Sequence, residues 1–400
     1  MIRKCLAVGI ILLFIGTCII PAIAQETEKP LPTTRGNWLY VGGSGPGNYT
    51  KIQDAIDDAN DGDTVFVYDD SSPYDEIVHL SHSINFIGED KNTTIIRRLQ
   101  SQSHPLVSLA ANNCYVSGFS LLSNPLIQNP VIEIQSDGNI VENNIVSNGD
   151  FQYNYDFATI DLFNASNNKI LRNQVYDNWW GENAIVMRVG SNYNLISENN
   201  VTSHQFGVVI TNSYNNVVSG NLIHGNRIGI SNSGGYSSFI NNTISNNVLG
   251  IECYGTYCTI SYNIIQNNED GGIKLTSWYN IISHNIFSNN TGYGLVLDGI
   301  AYNTIDHNNF SNNDNYGLYL TASAATTIHN NNFMNNGVYN AYFEQNSNRN
   351  NWNRNYWSNS LSHGLLPTII PGKRMWGFFF SYPWFNVDWF PAHKPFDIGG

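Results

Sequence analysis

NLISENNV (194–201), NVVSGNLI (216–223), NIISHNIF (280–287), NTIDHNNF (303–310) and TTIHNNNF (326–333) are variations on one phrase, and their recurrence decides the fold. Aligned on a shared asparagine, they bring Asn144, Asn173, Asn199, Asn221, Asn242, Asn263, Asn285, Asn308, Asn331 and Asn355 into register. The successive intervals are 29, 26, 22, 21, 21, 22, 23, 23 and 24 residues. A repeat of this size marks a solenoid. Within each unit an apolar residue stands three before the asparagine and another two after it. A glycine-led phrase follows, starting at Gly207, Gly229, Gly250, Gly272, Gly294 and Gly317, with apolar residues at alternate positions. That alternation is the period of a strand with one buried face. Each unit therefore holds three short strands, too few to bury an apolar face alone, so units must stack at about 4.8 Å with like residue over like.

The spacing predicts an all-β chain, a right-handed parallel β-helix solenoid of about 11–12 coils spanning residues 64–357. Stacked asparagines can pass amide hydrogen bonds from coil to coil, and asparagine tolerates the left-handed backbone that sharp bends require. Earlier coils are readable at 64–68, 84–87, 94–96 and 116–121, where Phe119 takes the asparagine's place.

The ends read differently. Arg3 and Lys4, an apolar run from Leu6 to Ile20 and Ala22-Ile23-Ala24 form the pattern of an export leader over residues 1–24. Residues 25–36 read as a linker. These features predict a secreted, periplasmic or cell-surface protein with no stable membrane span once the leader is removed. Residues 37–63 read as an N-terminal cap, with a helix over 51–59 presenting Ile52, Ala55, Ile56 and Ala59, Thr50 as N-cap and Gln53 following it. Residues 358–400, including GKRMWGFFFSYPWFNVDWFPAHKPF (372–396), form an aromatic segment read as a C-terminal plug in preference to an exposed binding patch.

Charged residues make up only 12% of the chain and the net charge is −13, becoming −15 without the leader. A phosphate backbone needs a basic face, so nucleic acid is an unsuitable partner. A polysaccharide or cell-surface glycan suits this polar, weakly charged surface better. After the leader the cysteines are Cys114, Cys253 and Cys258. The last two are close enough to close a small loop in an oxidising compartment, and three buried thiols are the equal alternative.

GSGPGNYTKIQDAIDDANDGDTVFV (43–67) followed by INFIGEDKNTTII (84–96) resembles the opening of pectin-lyase-like β-helix proteins, and the repeats resemble those of the NosD-type family of periplasmic copper-associated β-helix proteins. That resemblance supports the fold and implies either glycan chemistry or copper handling. The opening is most similar to pectinesterases, with SerProTyrAspGlu at 72–76 approximating one of their phrases. Their remaining motifs (QAV, QDT, DFIFG, GRPW) are missing, as are the polygalacturonase phrases NTD, GHG and RIK.

Stacking turns the outward residue of the third strand into one longitudinal stripe: Glu133, Asp161, Val186, Val209, Ser231, Glu252, Lys274, Val296, Tyr319 and Tyr342. Tyr319 and Tyr342 are candidate sugar-stacking rings, and Glu252 beside Lys274 is a candidate acid/base or substrate-binding pair. His284, Asp306, His307 and His329 fall just before the aligned asparagines of consecutive coils and are candidate ligands for copper or another divalent cation, the metal implied by the NosD resemblance. The catalytic residues, if any, are not identified by motif. The reading expects a carbohydrate-binding or cell-surface structural protein, with a polysaccharide lyase or epimerase acting on uronate glycans and a NosD-like copper role as alternatives.

Overall fold

The computed structural model describes residues 36–98, 104–123, 129–148, 158–177, 182–360, 364–376 and 380–398. The expected leader and nearly all of the expected linker lie outside them. The described chain is a right-handed parallel β-helix of about 13 turns. Three sheets of 14, 13 and 14 strands run along it. The first sheet runs from Trp38–Val41 to Asn351–Asn353, the second from Tyr74–Asp75 to Tyr356–Trp357, and the third from Val78–Leu80 to Phe380–Asp388. There are more turns than the 11–12 expected because the less regular early segments coil too: Trp38–Val41, assigned from sequence to the cap, pairs in register with Thr64–Val67.

One coil shows why these residues form this shape. Ser238–Ile240, Thr243–Ser245 and Leu249–Cys253 supply the three strands, and Phe239, Ile244 and Ile251 point inward and are fully buried. Tyr236, Asn241 and Asn246 occupy the bends with φ of 57°, 57° and 55°. Each is followed by a buried polar residue whose hydrogen bonds tie the bend to its neighbours.

The aligned asparagines form one column. Asn242 donates from its backbone N–H (2.9 Å) and from Nδ2 (3.0 Å) to Asn263 Oδ1, and its Nδ2 also reaches Val218 O (2.9 Å). The pattern repeats from Phe119, whose N–H donates to Asn144 Oδ1, up to Asn331 and Asn355. It ends on Asp388, whose Oδ2 accepts from Asn355 N–H, Asn355 Nδ2 and Trp357 Nε1. Two further columns exist that the alignment does not separate. One contains Asn139, Asn168, Asn194 and Asn216, later Cys258, Asn280 and Asn303. The other runs through Asn226, Asn247, Asn268, Asn290, Asn313, Asn336 and Asn340. Inside, Phe287, Phe310, Phe333 and Trp357 stack at centroid separations of 4.7, 5.0 and 4.5 Å.

At the N-terminal end the helix is Ile52–Asp57 and its Ile52, Ala55 and Ile56 are buried against the first coil. The expected capping by Thr50 is corrected: Lys51 occupies the N-cap position without a side-chain bond. The N–H groups of Ile52 and Gln53 instead donate to the Glu76 carboxylate at 3.0 and 3.2 Å. Glu76 is the last residue of the pectinesterase-like 72–76 phrase, and here it is a helix cap.

At the other end Thr368–Trp376 and Phe380–Asp388 form an antiparallel hairpin that extends the third sheet. Its Ile370 is buried, as are Trp352 and Trp357 of the last coil, while Phe380 in the hairpin and Phe390 just after it are each 73% exposed. The segment thus contributes both a buried residue, Ile370, and exposed aromatic rings. Cys114, Cys253 and Cys258 are buried free thiols. Burial pushes the Cys114 thiol up to about 11. Asn232 Nδ2 donates to the sulfurs of both Cys253 and Cys258, at 3.5 and 3.4 Å. No helix among the described residues is long and apolar enough to cross a membrane.

Candidate functional site

The third sheet is the candidate site because its outward side chains change between acidic, basic, aliphatic and aromatic from coil to coil, while its inward ones are buried and mostly aliphatic. Its Cα register runs Glu133, Asp161, Val186, Val209, Ser231, Glu252, Lys274, Val296, Tyr319, Tyr342 without a slip, the stripe expected from the repeat.

The N-terminal part of this stripe is ionic. The Arg188 guanidinium forks onto Asp161, with Nε at 3.0 Å from Oδ1 and Nη2 at 2.5 Å from Oδ2, and lies 5.1 Å from the centroid of the Phe163 ring. Such a bidentate pair is fixed in both distance and plane. Glu133 stands next to Asp161 in the register, and partial burial together with that neighbouring carboxylate raises its pKa. In the middle, Glu252 and Lys274 are direct cross-strand neighbours as expected. The Glu252 carboxylate accepts from the Tyr254 hydroxyl at 2.5 Å. That contact, and after it burial, pushes the Tyr254 phenol up to about 12.

The C-terminal part is aromatic. Tyr319 and Tyr342 have ring centroids 6.1 Å apart and planes inclined by 18°. They are not alone. Tyr316 lies 5.2 Å from Tyr319 and 5.6 Å from Tyr342, and Tyr339 lies 5.2 Å from Tyr342, all within 26° of parallel. Glu344 accepts a hydrogen bond from the Tyr319 hydroxyl. Burial raises the phenols of Tyr316, Tyr319 and Tyr342, and the Glu344 charge adds to it in each. A proton-abstracting phenolate needs the opposite shift, so this cluster is suited to holding a ligand and unsuited to deprotonating one. Tyr316, Tyr339 and Glu344 escaped the sequence reading. The available signal was a tyrosine just before the third-strand phrase at Tyr293, Tyr316 and Tyr339, paired in register.

The four candidate metal ligands are brought near one another without forming a cage. Asp306 and His329 are register partners on the first sheet, and Asp306 Oδ1 lies 2.7 Å from His307 Nδ1 and 3.0 Å from His329 Nδ1. His284 and His307 are bend residues with φ of 57° and 50°, and their rings stack at 5.1 Å with planes 7° apart. The Nδ1 atoms of both stacked rings are buried. Among the described residues no group of three or more His, Cys, Asp or Glu is arranged to hold a metal ion. Burial, then the neighbouring His307, lowers the His284 pKa.

A second aromatic column lies at another bend. Tyr236, Tyr257, Tyr279 and Tyr302 stack at 5.0, 5.1 and 5.3 Å, planes 5–7° apart, on backbones of φ 57° to 61°. Left-handed backbone is uncommon for a bulky side chain, and the stacking offsets its cost. Here most ring faces are covered by the next ring.

The description "Right handed beta helix region" matches residues 106–258 and 228–367. The chain belongs to the right-handed β-helix family. No curated protein sequence matches this β-helix. Among solved structures it is similar to the Dettilon tailspike protein, at 14% identity and a TM-score of 0.54 over 84% of this chain and 73% of that one. It is also similar to a mannuronic acid specific polysaccharide family 6 lyase from human gut microbiota, at 11% identity and a TM-score of 0.53 over 78% and 86%. A third is a family 6 polysaccharide lyase from Pseudopedobacter saltans, at 14% identity and a TM-score of 0.50 over 73% and 84%. At these identities the likeness is one of fold.

Proposed function

We propose that this β-helix binds polysaccharide along the outward face of its third sheet, with Tyr316, Tyr319, Tyr339 and Tyr342 as the contact platform. The observation that carries the reading is the set of four near-parallel rings, anchored through Tyr319 to Glu344, on the outward face of the strands. Aromatic surfaces with a few fixed polar groups are what sugar rings pack against, apolar C–H face on ring and hydroxyls on carboxylate. Two of the similar solved structures are named as polysaccharide lyases, which adds support from the fold's known uses. A glycan array probed with the wild type and with Tyr319→Ala and Tyr342→Ala tests it. Signals on defined glycans that disappear in both variants are expected, and unchanged signals would remove the platform from the site.

A second reading, a lyase or epimerase on uronate chains, is favoured by the Glu133, Asp161 and Arg188 group, where a raised carboxylic acid lies beside an arginine. Against it, Arg188 is already forked onto Asp161. Incubation with alginate and pectate decides between them: unsaturated uronate ends absorbing in the ultraviolet, or a changed uronate epimer ratio, establish catalysis.

A further inference from the structure

The third sheet is interrupted at one place, next to the tyrosine platform. The strand Tyr339–Glu344 meets the hairpin strand Thr368–Trp376 through a single parallel register pair, Phe343 with Gly372. Every earlier pair of successive strands in this sheet shares three or more. The start of the strand therefore diverges from the hairpin, and the wedge between them is a cavity of about 330 Å³. Its walls include Tyr339, Asn340, Trp357, Asn359, Thr368 and Ile369. A cavity of this size lies at the lower end of the small-ligand range.

Three features specify the occupant. Tyr339, in the wall, is also a member of the platform, stacked on Tyr342 at 5.2 Å, so cavity and platform form one continuous surface. The column of amides that runs up through Asn336 and Asn340 ends here. Asn340 Nδ2 donates to Asn359 Oδ1 at 3.0 Å, leaving the exposed Asn359 with amide N–H groups that the column does not use. Thr368 Oγ1 is buried in the same wall without a hydrogen-bond partner inside the protein. Finally, among the described residues lining the cavity none is charged. A carboxylate entering it would lose its hydration with no cation to replace it, whereas hydroxyls and amides can be satisfied by Asn359 and Thr368.

We infer that this cavity is a subsite for one uncharged sugar residue of the glycan lying on the platform, which makes the protein a reader of neutral polysaccharide. The inference rests on the polysaccharide-binding reading and adds the class of sugar and a second contact point. It sets the protein apart from a uronate-binding surface, which would need a cationic group where this cavity has amides, tyrosine and tryptophan.

The test is a glycan array of neutral and uronate-containing oligosaccharides of matched length, followed by calorimetry on the best binder. The proteins compared are the wild type, the platform variant Tyr342→Ala and two cavity variants, Ile369→Trp and Asn359→Ala. Ile369 and Asn359 are exposed, so neither change touches the core, and thermal unfolding confirms the fold. The expected result is selection of neutral glycans with affinity weakened about tenfold or more by Ile369→Trp and by Tyr342→Ala, as for residues at the centre of a contact. Loss with Tyr342→Ala alone, both cavity variants binding as wild type, overturns the subsite while the platform reading stands. Preference for uronate glycans overturns the neutral class. No glycan bound by the wild type overturns both.

Discussion

The buried bend columns and the outward column of the third sheet obey the same stacking geometry and carry opposite kinds of sequence. In the bends one residue type is repeated, so Asn221, Asn242, Asn263 and Asn285 each satisfy the next. On the third sheet the register is just as strict, yet carboxylates give way to valines, then to Glu252 and Lys274, then to tyrosines. A position that pairs with its own copy tolerates few replacements, because a buried amide left without its partner costs about 1–3 kcal/mol. An outward position that need not pair with its own copy has no such constraint. Repetition therefore marks what holds the solenoid, and departure from repetition marks where it can recognise something else.

The largest effect should come from breaking a repeating column. Asn263→Leu removes the acceptor of Asn242 N–H and Nδ2 and the donor to Phe239 O and Asn285 Oδ1. With several buried groups orphaned at about 1–3 kcal/mol each, a loss on the order of 5 kcal/mol is expected in urea unfolding. Because solenoid coils depend on their neighbours, hydrogen exchange should speed up first at residues 239–285. A shift no larger than that of Ser231→Ala on the outward column would erase the distinction.

His204 heads the column that continues through Asn226: its N–H donates to Asn226 Oδ1 as an asparagine's would, and its Nε2 lies 3.1 Å from Thr159 Oγ1. Burial lowers its pKa from 6.5 to about 4. The unfolded chain thus binds a proton more readily than the folded one. The associated stability is complete above pH 6.5 and is lost as pH falls from about 6.5 to about 4, on the order of 3 kcal/mol in all. His204→Asn should flatten that part of the stability profile, and an unchanged slope would place the titration elsewhere.

Asp388→Ala removes the acceptor that closes the central column, and about 2 kcal/mol of protection should be lost from Asn355 and Trp357. Asp388→Asn, which retains an oxygen, should lose less. Amide exchange at the last coil measures both. On the outward column the effects on stability shrink. Tyr319→Ala should cost about 1–2 kcal/mol, the scale of a half-buried cross-strand aromatic pair with one hydrogen bond to a carboxylate. Lys274→Met should change stability by under about 0.5 kcal/mol, since Lys274 is only half-buried and a surface charge beside its register neighbour Glu252 contributes little. A cost of several kcal/mol at either site would mean that this stripe is structural after all.

How much of this was legible from sequence follows the same division. The central column was read correctly because every member from Asn144 to Asn355 is the same residue. The two flanking columns were not separated, because Cys258 stands in one and His204 in the other, and a change of residue hides a shared position. The stripe from Glu133 to Tyr342 was legible because it follows from register alone. Tyr316 and Tyr339 were not chosen, since they lie beyond the strict inward and outward alternation at the strand's start. The helix cap was misassigned to Thr50 because the true acceptor, Glu76, comes from a later strand, 24 residues from Ile52. The cavity beside Tyr339 had no local signal either. It exists because the hairpin pairs with the last coil only at Phe343, a property of two distant segments together.

The most direct test sets the two aromatic columns against each other on one glycan array. Tyr319→Ala/Tyr342→Ala removes rings from the non-repeating platform, and Tyr257→Ala/Tyr279→Ala removes rings from the repeating bend stack, where they are 48% and 43% exposed. Glycan binding should disappear in the first double variant and persist in the second, with both proteins folded. Binding that survives the first and is abolished by the second would contradict the assignment of recognition to the third sheet.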